Sequence, residues 1–173
     1  MSTVVPISIA VRPGRYEDSR ALGEFLVALA LETPYTLMTS KEQQAALPQQ
    51  ALYTQYVLRS ANQTIFVAAH GRGRIVGCIN LALGGTERTR HVCTLAMGVL
   101  KDYWGTGVAG ELVEKGLDWG RQKGAGRYEV TVHERNDRAI RFYEKQGFVR
   151  EGVRRRSICN DGVWADEIYL GRV

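Results

Sequence analysis

The spacing of apolar residues in the first third of the chain predicts one strand followed by two helices. Residues 7–11 form an apolar run of strand length. Apolar positions of the next segment recur at i, i+3, i+4 and i+7, at Leu22, Phe25, Leu26 and Leu29. Residues 32–40 contain a proline and several hydroxyl side chains, which indicates a loop. A second helix is predicted over residues 41–58, interrupted or shifted by Pro48.

The pattern then changes to one typical of strands. Residues 63–70 and 74–83 are apolar and flank the turn residues 71–73, which predicts a hairpin. Residues 91–100 form a further predicted strand. An apolar stripe at helical spacing follows over residues 107–122.

The last third alternates between the same two patterns. Residues 128–134 alternate as a strand. Asn136 is placed to cap a short helix that Gly147 would end. Strands over 148–158 and 163–170 close the chain. The order predicts an α/β (α+β) fold, a mixed central sheet of about seven strands with helices on both faces.

Composition changes this picture little. The chain has 173 residues, a length that suggests one domain over residues 1–173. The net charge of +5 suits an anionic ligand or nucleic acid, but we interpret it as scattered surface charge and predict no nucleic-acid partner. No apolar run approaches the ~18 residues of a membrane span, and no secretory leader is evident, so a cytoplasmic protein without membrane association is expected. The three cysteines lie far apart and predict no metal site.

The most informative segment is residues 95–112, where a strand, a turn and a glycine-rich helix start follow one another. The first turn of a helix offers unpaired N–H groups and a partial positive charge, which suit a pyrophosphate. Gly105, Gly107, Ala109 and Gly110 leave room for that group to approach. The sequence therefore predicts a phosphate-binding loop here.

A dinucleotide-binding fingerprint is the competing interpretation. Residues 105–110 also match GxGxxG, and Glu129 or Glu134 lies downstream at a distance suited to a ribose contact. In the dinucleotide fold, however, the first glycine turns at the end of the strand, whereas residues 101–104 intervene here. The chain also lacks the further strand–helix units of a doubly wound sheet, and we reject this alternative.

At these residues the chain resembles the GNAT superfamily of N-acetyltransferases. Trp104, Gly107 and Ala109 hold the three places of its phosphate-loop motif, where many members have glutamine or arginine first. A second block at family spacing consists of Asn136, Ala139, Tyr143, Gly147 and Phe148. The tail over residues 151–170 is similar to that of bacterial L-amino-acid and ribosomal-protein type acetyltransferases.

This resemblance implies transfer of an acetyl group from acetyl-CoA, used as acyl donor without a metal, to a primary amine that attacks directly in a ternary complex. A small amine or amino acid is favoured over a protein N-terminus, and a homodimer is expected. The implied cofactor contacts are Met97, Gly98, Val99, Trp104, Gly105, Thr106, Gly107, Val108, Ala109, Gly110, Asn136, Ala139 and Tyr143. A tryptophan at position 104 carries no charge, which implies weaker side-chain assistance to the phosphates. Gly98 is compatible with a β-bulge that opens the sheet.

The catalytic expectations follow from the same resemblance. Tyr143 would protonate the leaving thiolate. Many members carry a glutamate on the strand before the phosphate loop, but this strand has no carboxylate, so Glu32 is the first substitute as base and His133 and Glu134 are next. Glu32, Tyr35, His133 and Trp164 are predicted to line the acceptor pocket. The alternative function is a CoA-binding regulatory module without turnover.

The run of arginines at residues 154–156 has a simpler interpretation. Neighbouring residues of a strand point to opposite faces, so the run cannot form one continuous basic patch. It is interpreted as part of a solvated edge strand.

Overall fold

A computed structural model describes residues 9–71 and 73–173 and contains a seven-stranded mixed sheet with helices on both faces. The strands are β1 Ile9–Pro13, β2 Gln63–His70, β3 Arg74–Leu83, β4 Val92–Val99, β5 Arg127–His133, β6 Val149–Asn160 and β7 Val163–Arg172. The helices are α1 Ser19–Glu32, α2 Ser40–Ala46, α3 Gln50–Arg59, α4 Val108–Gln122 and α5 Asp137–Lys145. The predicted fold class is therefore confirmed, although residues 7 and 8 of the first predicted strand lie outside the described residues.

The strand order is β1-β2-β3-β4-β5-β7-β6, and the central pair β4–β5 is parallel. The long connection through α4 allows this, because parallel neighbours need a crossover. The two strands pair only at Val92–Arg127, Cys93–Tyr128 and Thr94–Glu129. Residues 95–99 of β4 and 130–133 of β5 are not paired with each other, and we call the gap between them the strand opening.

Alternation along the strands sends apolar side chains into two separate layers. Phe66 and Ala68 of β2 pack in the core beneath α4 and α5, where Leu112 is fully buried. Ile65 and Val67, one position off, pack on the other face with Leu22, Phe25 and Val57 of α1 and α3. Within the described ranges, no helix is both long and apolar enough to cross a bilayer.

The observed strands and helices refine two expectations about local structure. The predicted second helix is two helices, α2 and α3, separated by a 3₁₀ turn at Leu47–Gln49 that contains Pro48. No bulge is found at Gly98 in the pairing of β4 with β3, which stays in unbroken register from Cys93 to Val99. Gly98 instead lies close to α1, where a Cβ would displace the end of the Leu29 side chain.

Candidate functional site

The turn between β4 and α4 has a backbone that favours glycine. A short 3₁₀ turn, Lys101–Tyr103, follows β4, and then Gly105 and Gly107 adopt φ angles of 76° and 89°. These values lie in the left-handed region, which costs residues with a Cβ about 1–2 kcal/mol. Gly107 is the N-cap of α4 and, having no side chain, leaves the helix start uncovered.

The backbone N–H groups of six successive residues, 105–110, donate no hydrogen bond to the backbone of any described residue. The first helical hydrogen bond comes only from Glu111 N to Gly107 O, at 3.1 Å. Cβ atoms built on Gly105, Gly107 and Gly110 would meet nothing within 4 Å. We call residues 105–110 the amide cradle. An open row of N–H donors at the positive end of a helix fits a pyrophosphate.

Trp104 lies at the entrance to the amide cradle and is held in one orientation. Its indole Nε1 donates a hydrogen bond of 2.8 Å to the carbonyl oxygen of Val99. The guanidinium carbon of Arg138, from α5, lies 3.3 Å from the centroid of the indole ring. The single indole N–H of Trp104 is therefore bound within the protein, and the guanidinium of Arg138 covers the indole ring.

Tyr143 combines a buried ring with an unpaired hydroxyl. The residue is 4% exposed, and its ring packs edge-on against Phe142 and Phe148, with centroids 5.3 and 5.4 Å away. The Tyr143 hydroxyl forms no side-chain hydrogen bond with any residue that the structure describes. Burial raises the pKa of Tyr143, so the phenol stays protonated at neutral pH.

Asn136, about two turns before Tyr143, caps α5 as predicted. Its Oδ1 accepts a hydrogen bond from Ala139 N at 3.2 Å. The Nδ2 group makes no bond to the described residues and remains available as a donor. Asn136 can therefore cap its helix and contact a ligand with opposite ends of one amide.

The end of α1 and the loop after it span the strand opening. Glu32 Oε2 accepts a hydrogen bond from Lys101 N, just beyond β4, at 2.8 Å. Tyr35 donates from its hydroxyl to the carbonyl oxygen of Arg135, just beyond β5, at 3.1 Å. The Tyr35 ring also packs against His133, with centroids 5.0 Å apart. Two predicted acceptor residues are thus attached to opposite sides of the opening.

The hydrogen bond made by His133 restricts its acid–base role. Its Nδ1 accepts from Arg135 N at 3.1 Å. A neutral imidazole whose Nδ1 accepts carries its proton on Nε2, so that nitrogen is a donor and not a base. Glu134, the other carboxylate proposed at this strand end, accepts a hydrogen bond from Asp166 N at 3.1 Å, which fixes it against β7.

The sequence analysis missed an ion pair beside His133, in which the carboxylate is buried and the arginine is half exposed. The register places Glu167 of β7 between His133 of β5 and Arg154 of β6, on one face of the sheet. Glu167 is 4% exposed, and its Oε2 lies 3.0 Å from Arg154 Nη1. β6 is an edge strand, as predicted, but Arg154 is bound to a buried carboxylate and is not simply solvated.

Trp164 is the predicted acceptor residue that lies apart from the others. It is opposite Cys159 near the turn of the β6–β7 hairpin, and 57% of its surface is exposed. No ring contact or side-chain hydrogen bond joins it to Tyr35, His133 or Glu32 in the residues that the structure describes. Tyr35 and His133 are thus in contact on the β5 side of the opening, Glu32 lies on the β4 side, and Trp164 lies at the hairpin turn.

Comparisons with known proteins agree with this geometry. Residues 26–148 match the model of the acetyltransferase (GNAT) family. An uncharacterized N-acetyltransferase of Mycobacterium bovis is 38% identical over 104 residues, which cover 60% of this chain and 64% of that protein. The L-amino acid N-acetyltransferase of Escherichia coli is 30% identical over 105 residues, which cover 58% of this chain and 63% of that protein. The matched region thus spans less than two thirds of these relatives.

The fold is also found among solved structures. An acetyltransferase of the GNAT family from Streptococcus pneumoniae superposes with a TM-score of 0.79 at 29% identity, covering 95% of this chain and 99% of that one. The family model covers well over half of the chain and includes β4, the amide cradle and α5. With the strand opening, the cradle and the family match in agreement, the chain belongs to the GNAT family of acetyltransferases.

Proposed function

We propose that the protein transfers an acetyl group from acetyl-CoA to the primary amine of a small molecule, an amino acid in preference to a protein N-terminus. The observation that carries this proposal is that the amide cradle follows β4, the strand that borders the opening, with residues 100–104 between them. One end of the donor would be held by its phosphates while its thioester lies where the two strands separate. Direct attack by the amine in a ternary complex then needs no covalent enzyme intermediate.

The donor's binding site is assigned from the chain's own groups. The N–H groups of residues 105–110 would hold the pyrophosphate, with Thr106 kept in place by its hydrogen bond of 2.7 Å to Tyr103 O. Residues 97–99 line the opening, and Asn136 offers its free amide donor. Trp104, Val108, Ala109 and Ala139 complete the proposed contacts around this core.

Backbone groups of β4 are proposed to stabilise the reacting carbonyl. A strand that pairs on only one side leaves alternate N–H groups free, and residues 97–99 of β4 are unpaired on the β5 side. One such donor aimed at a developing oxyanion contributes about 3 kcal/mol to the transition state. The rigid register with β3 holds these donors in place before the substrate arrives.

Tyr143 is proposed as the general acid. Its hydroxyl is unpaired among the described residues, and its pKa is raised by burial, so it carries a proton at every pH near neutrality. A thiolate leaving from the donor can take that proton. The aromatic packing of Phe142 and Phe148 fixes the ring from which the proton is given.

Glu32 is proposed as the base that receives the proton of the amine, through water. One of its oxygens is fixed to Lys101 N, and the other is free of bonds to described residues. An alkylamine has a pKa near ~10.4 and is almost wholly protonated at neutral pH, so a proton must leave before attack. His133, with its proton on Nε2, is assigned a substrate-positioning role.

The ion pair of Glu167 and Arg154 supports an amino acid as the acceptor. Only one Arg154 nitrogen is bound to Glu167, and the side chain is 55% exposed, so its other donors are free for a carboxylate. Glu167 accepts from Arg154 through Oε2 alone, and its Oε1 has no hydrogen-bond donor in the described residues. An α-amino acid presents an amine and a carboxylate together, which suits this adjacent anion and cation. The E. coli relative carries the name of an L-amino acid N-acetyltransferase.

The test is release of free thiol from acetyl-CoA with a panel of L-amino acids, their decarboxylated amines and short peptides. We expect release with at least one amino acid and a lower rate with its decarboxylated amine. Changing Arg154→Gln should reduce that preference at least tenfold, whereas Arg155→Gln, at an exposed neighbour without an ion pair in the described residues, serves as the control. Tight CoA binding without release for any acceptor would instead favour the regulatory module.

A further inference from the structure

The pair formed by Trp104 and Arg138 has no assigned role, although it borders the amide cradle. Trp104 is the residue directly before Gly105, the first member of the cradle, and Arg138 lies over its ring at 3.3 Å. Many family members have a glutamine or arginine where this chain has Trp104. This chain therefore lacks that polar side chain at the position directly before the cradle. A guanidinium nevertheless lies on the ring of Trp104, one residue before the cradle, and it comes from α5 instead of from the loop.

We propose that Arg138, held on the indole face of Trp104, supplies the positive charge that binds the pyrophosphate of CoA at the amide cradle. This inference rests on the proposed use of acetyl-CoA. In this proposal the ring of Trp104 is the platform that supports the guanidinium, and Arg138 provides the charge. A role that one side chain has in many relatives is thus divided here between two elements.

The platform is rigid, which fixes where the charge lies. The hydrogen bond of 2.8 Å from Trp104 Nε1 to Val99 O prevents rotation of the indole about its side-chain bonds. Arginine stacks flat on an aromatic face because its guanidinium is planar. Stacking uses the face of the guanidinium and leaves its N–H edges directed outward, where a phosphate oxygen is bound.

Arg138 is not committed to another partner. Arg12, Arg127, Arg150 and Arg154 each form an ion pair with a carboxylate, but Arg138 forms none with any residue the structure describes. It also donates no hydrogen bond there. Partial burial lowers the pKa of Arg138, yet a guanidinium remains charged at neutral pH. A charged, partly desolvated and unpaired group beside an anion site is preorganised for that anion.

The experiment is calorimetric binding of CoA to the full chain and to single variants. Arg138→Ala should weaken CoA binding at least tenfold. Arg141→Ala removes an arginine one turn along the same exposed side of α5, unpaired in the described residues, and should change affinity less than twofold. Dephospho-CoA keeps the pyrophosphate but lacks the 3′-phosphate, so Arg138→Ala should weaken its binding by the same factor. If Arg138→Ala bound dephospho-CoA as tightly as the unaltered chain does, the pyrophosphate assignment would be overturned.

A second set of variants tests the platform. Trp104→Ala should weaken CoA binding by nearly as much as Arg138→Ala, and the double variant should be little weaker than either, because both remove the same held charge. Effects that multiply in the double variant would overturn the coupling. Trp104→Phe, which keeps an aromatic face, provides a better-folding substitute and should retain more affinity than Trp104→Ala. Tm measurements confirm that each variant is folded.

The inference and the proposed function fail differently. If the unaltered chain binds no CoA, the proposed function is wrong. If it binds CoA and Arg138→Ala binds equally well, only the role of Arg138 is wrong. If binding follows the prediction but no amine is acetylated, the charge assignment stands and the transferase activity does not.

Discussion

Individual residues of this protein take their chemical roles from what already occupies their polar atoms. The N–H of Trp104 and the Nδ1 of His133 are used within the chain, which leaves the first a platform and the second a donor. Tyr143 is the opposite case, since its ring is part of the core while its hydroxyl has no partner in the described residues. The family motif alone does not separate these two situations.

The role of Tyr143 is tested by its replacement with phenylalanine. Tyr143→Phe should lower kcat at least about tenfold, because a general acid contributes about 10²–10⁴-fold, while the Kd of CoA changes little. An unchanged Tm of Tyr143→Phe is the control for loss of packing. The raised pKa places any loss of activity from Tyr143 ionisation above the ordinary tyrosine range, so activity should not fall between pH 8 and 10 for this reason. A Tyr143→Phe enzyme with unchanged kcat under conditions where chemistry limits the rate would remove the proposed role.

At the scale of elements, the amide cradle depends on a helix that begins without a side-chain cap. Gly107 at a φ of 89° sets the direction of α4, and Gly110 lies in its first turn without a positive φ. Both leave open space, but only the first needs glycine for its backbone. Two glycines three residues apart therefore respond differently to the same substitution.

Gly107→Ala and Gly110→Ala form a matched pair for unfolding in urea. Gly107→Ala should lower the free energy of unfolding by about 1–2 kcal/mol, because alanine is strained in the left-handed region. Gly110→Ala should raise it by about 0.5–1 kcal/mol, because alanine is the better helix former. Equal effects of the two substitutions would show that the backbone of the cradle differs from the one described.

The elements that sequence could predict are those fixed by local patterns. The glycines before α4, the cap at Asn136 and the break at Pro48 all act within a few residues, and each is found where expected. The group of Glu167 and Arg154 was missed because it depends on the registers of β5, β6 and β7, which no short window reveals. The sequence could not decide whether Gly98 forms a bulge, because a glycine that lies close to a helix such as α1 has the same local pattern as one in a bulge.

At the scale of the whole molecule, stability is expected to depend on an ion pair at the junction of β1 and α1. Arg12 donates to the Asp18 carboxylate from Nη1 and Nη2, at 2.7 and 2.8 Å. The backbone N–H of Arg15 donates to Asp18 Oδ2 at 2.8 Å. Asp18 is 7% exposed, and the hydrogen bond from Arg12 lowers its pKa. Family membership does not test the location or the oligomeric state of the protein. That it is cytoplasmic and forms a homodimer stays a prediction from the sequence.

The lowered pKa of Asp18 gives a signed prediction for acid unfolding. A carboxyl whose pKa is lower in the folded state stabilises the protein above its unfolded pKa of about 3.9, and this contribution disappears as pH falls through the folded value. The free energy of unfolding should therefore decrease on acidification below about pH 5. Asp18→Asn should be less stable at pH 7 and show a shallower decrease in urea titrations at successive pH values. A decrease of equal steepness in that variant would assign the acid sensitivity to other carboxyls.

The strand opening is a property of two backbone paths, and this has an evolutionary consequence. No single side chain creates the opening, because pairing of β4 with β5 ends after Thr94 while β4 remains in register with β3. If the proposed function holds, mutations on its rim, at positions such as His133 or Glu167, alter which acceptors are admitted without removing the proposed place of transfer. New specificities can therefore arise by drift at the rim while the scaffold is inherited intact.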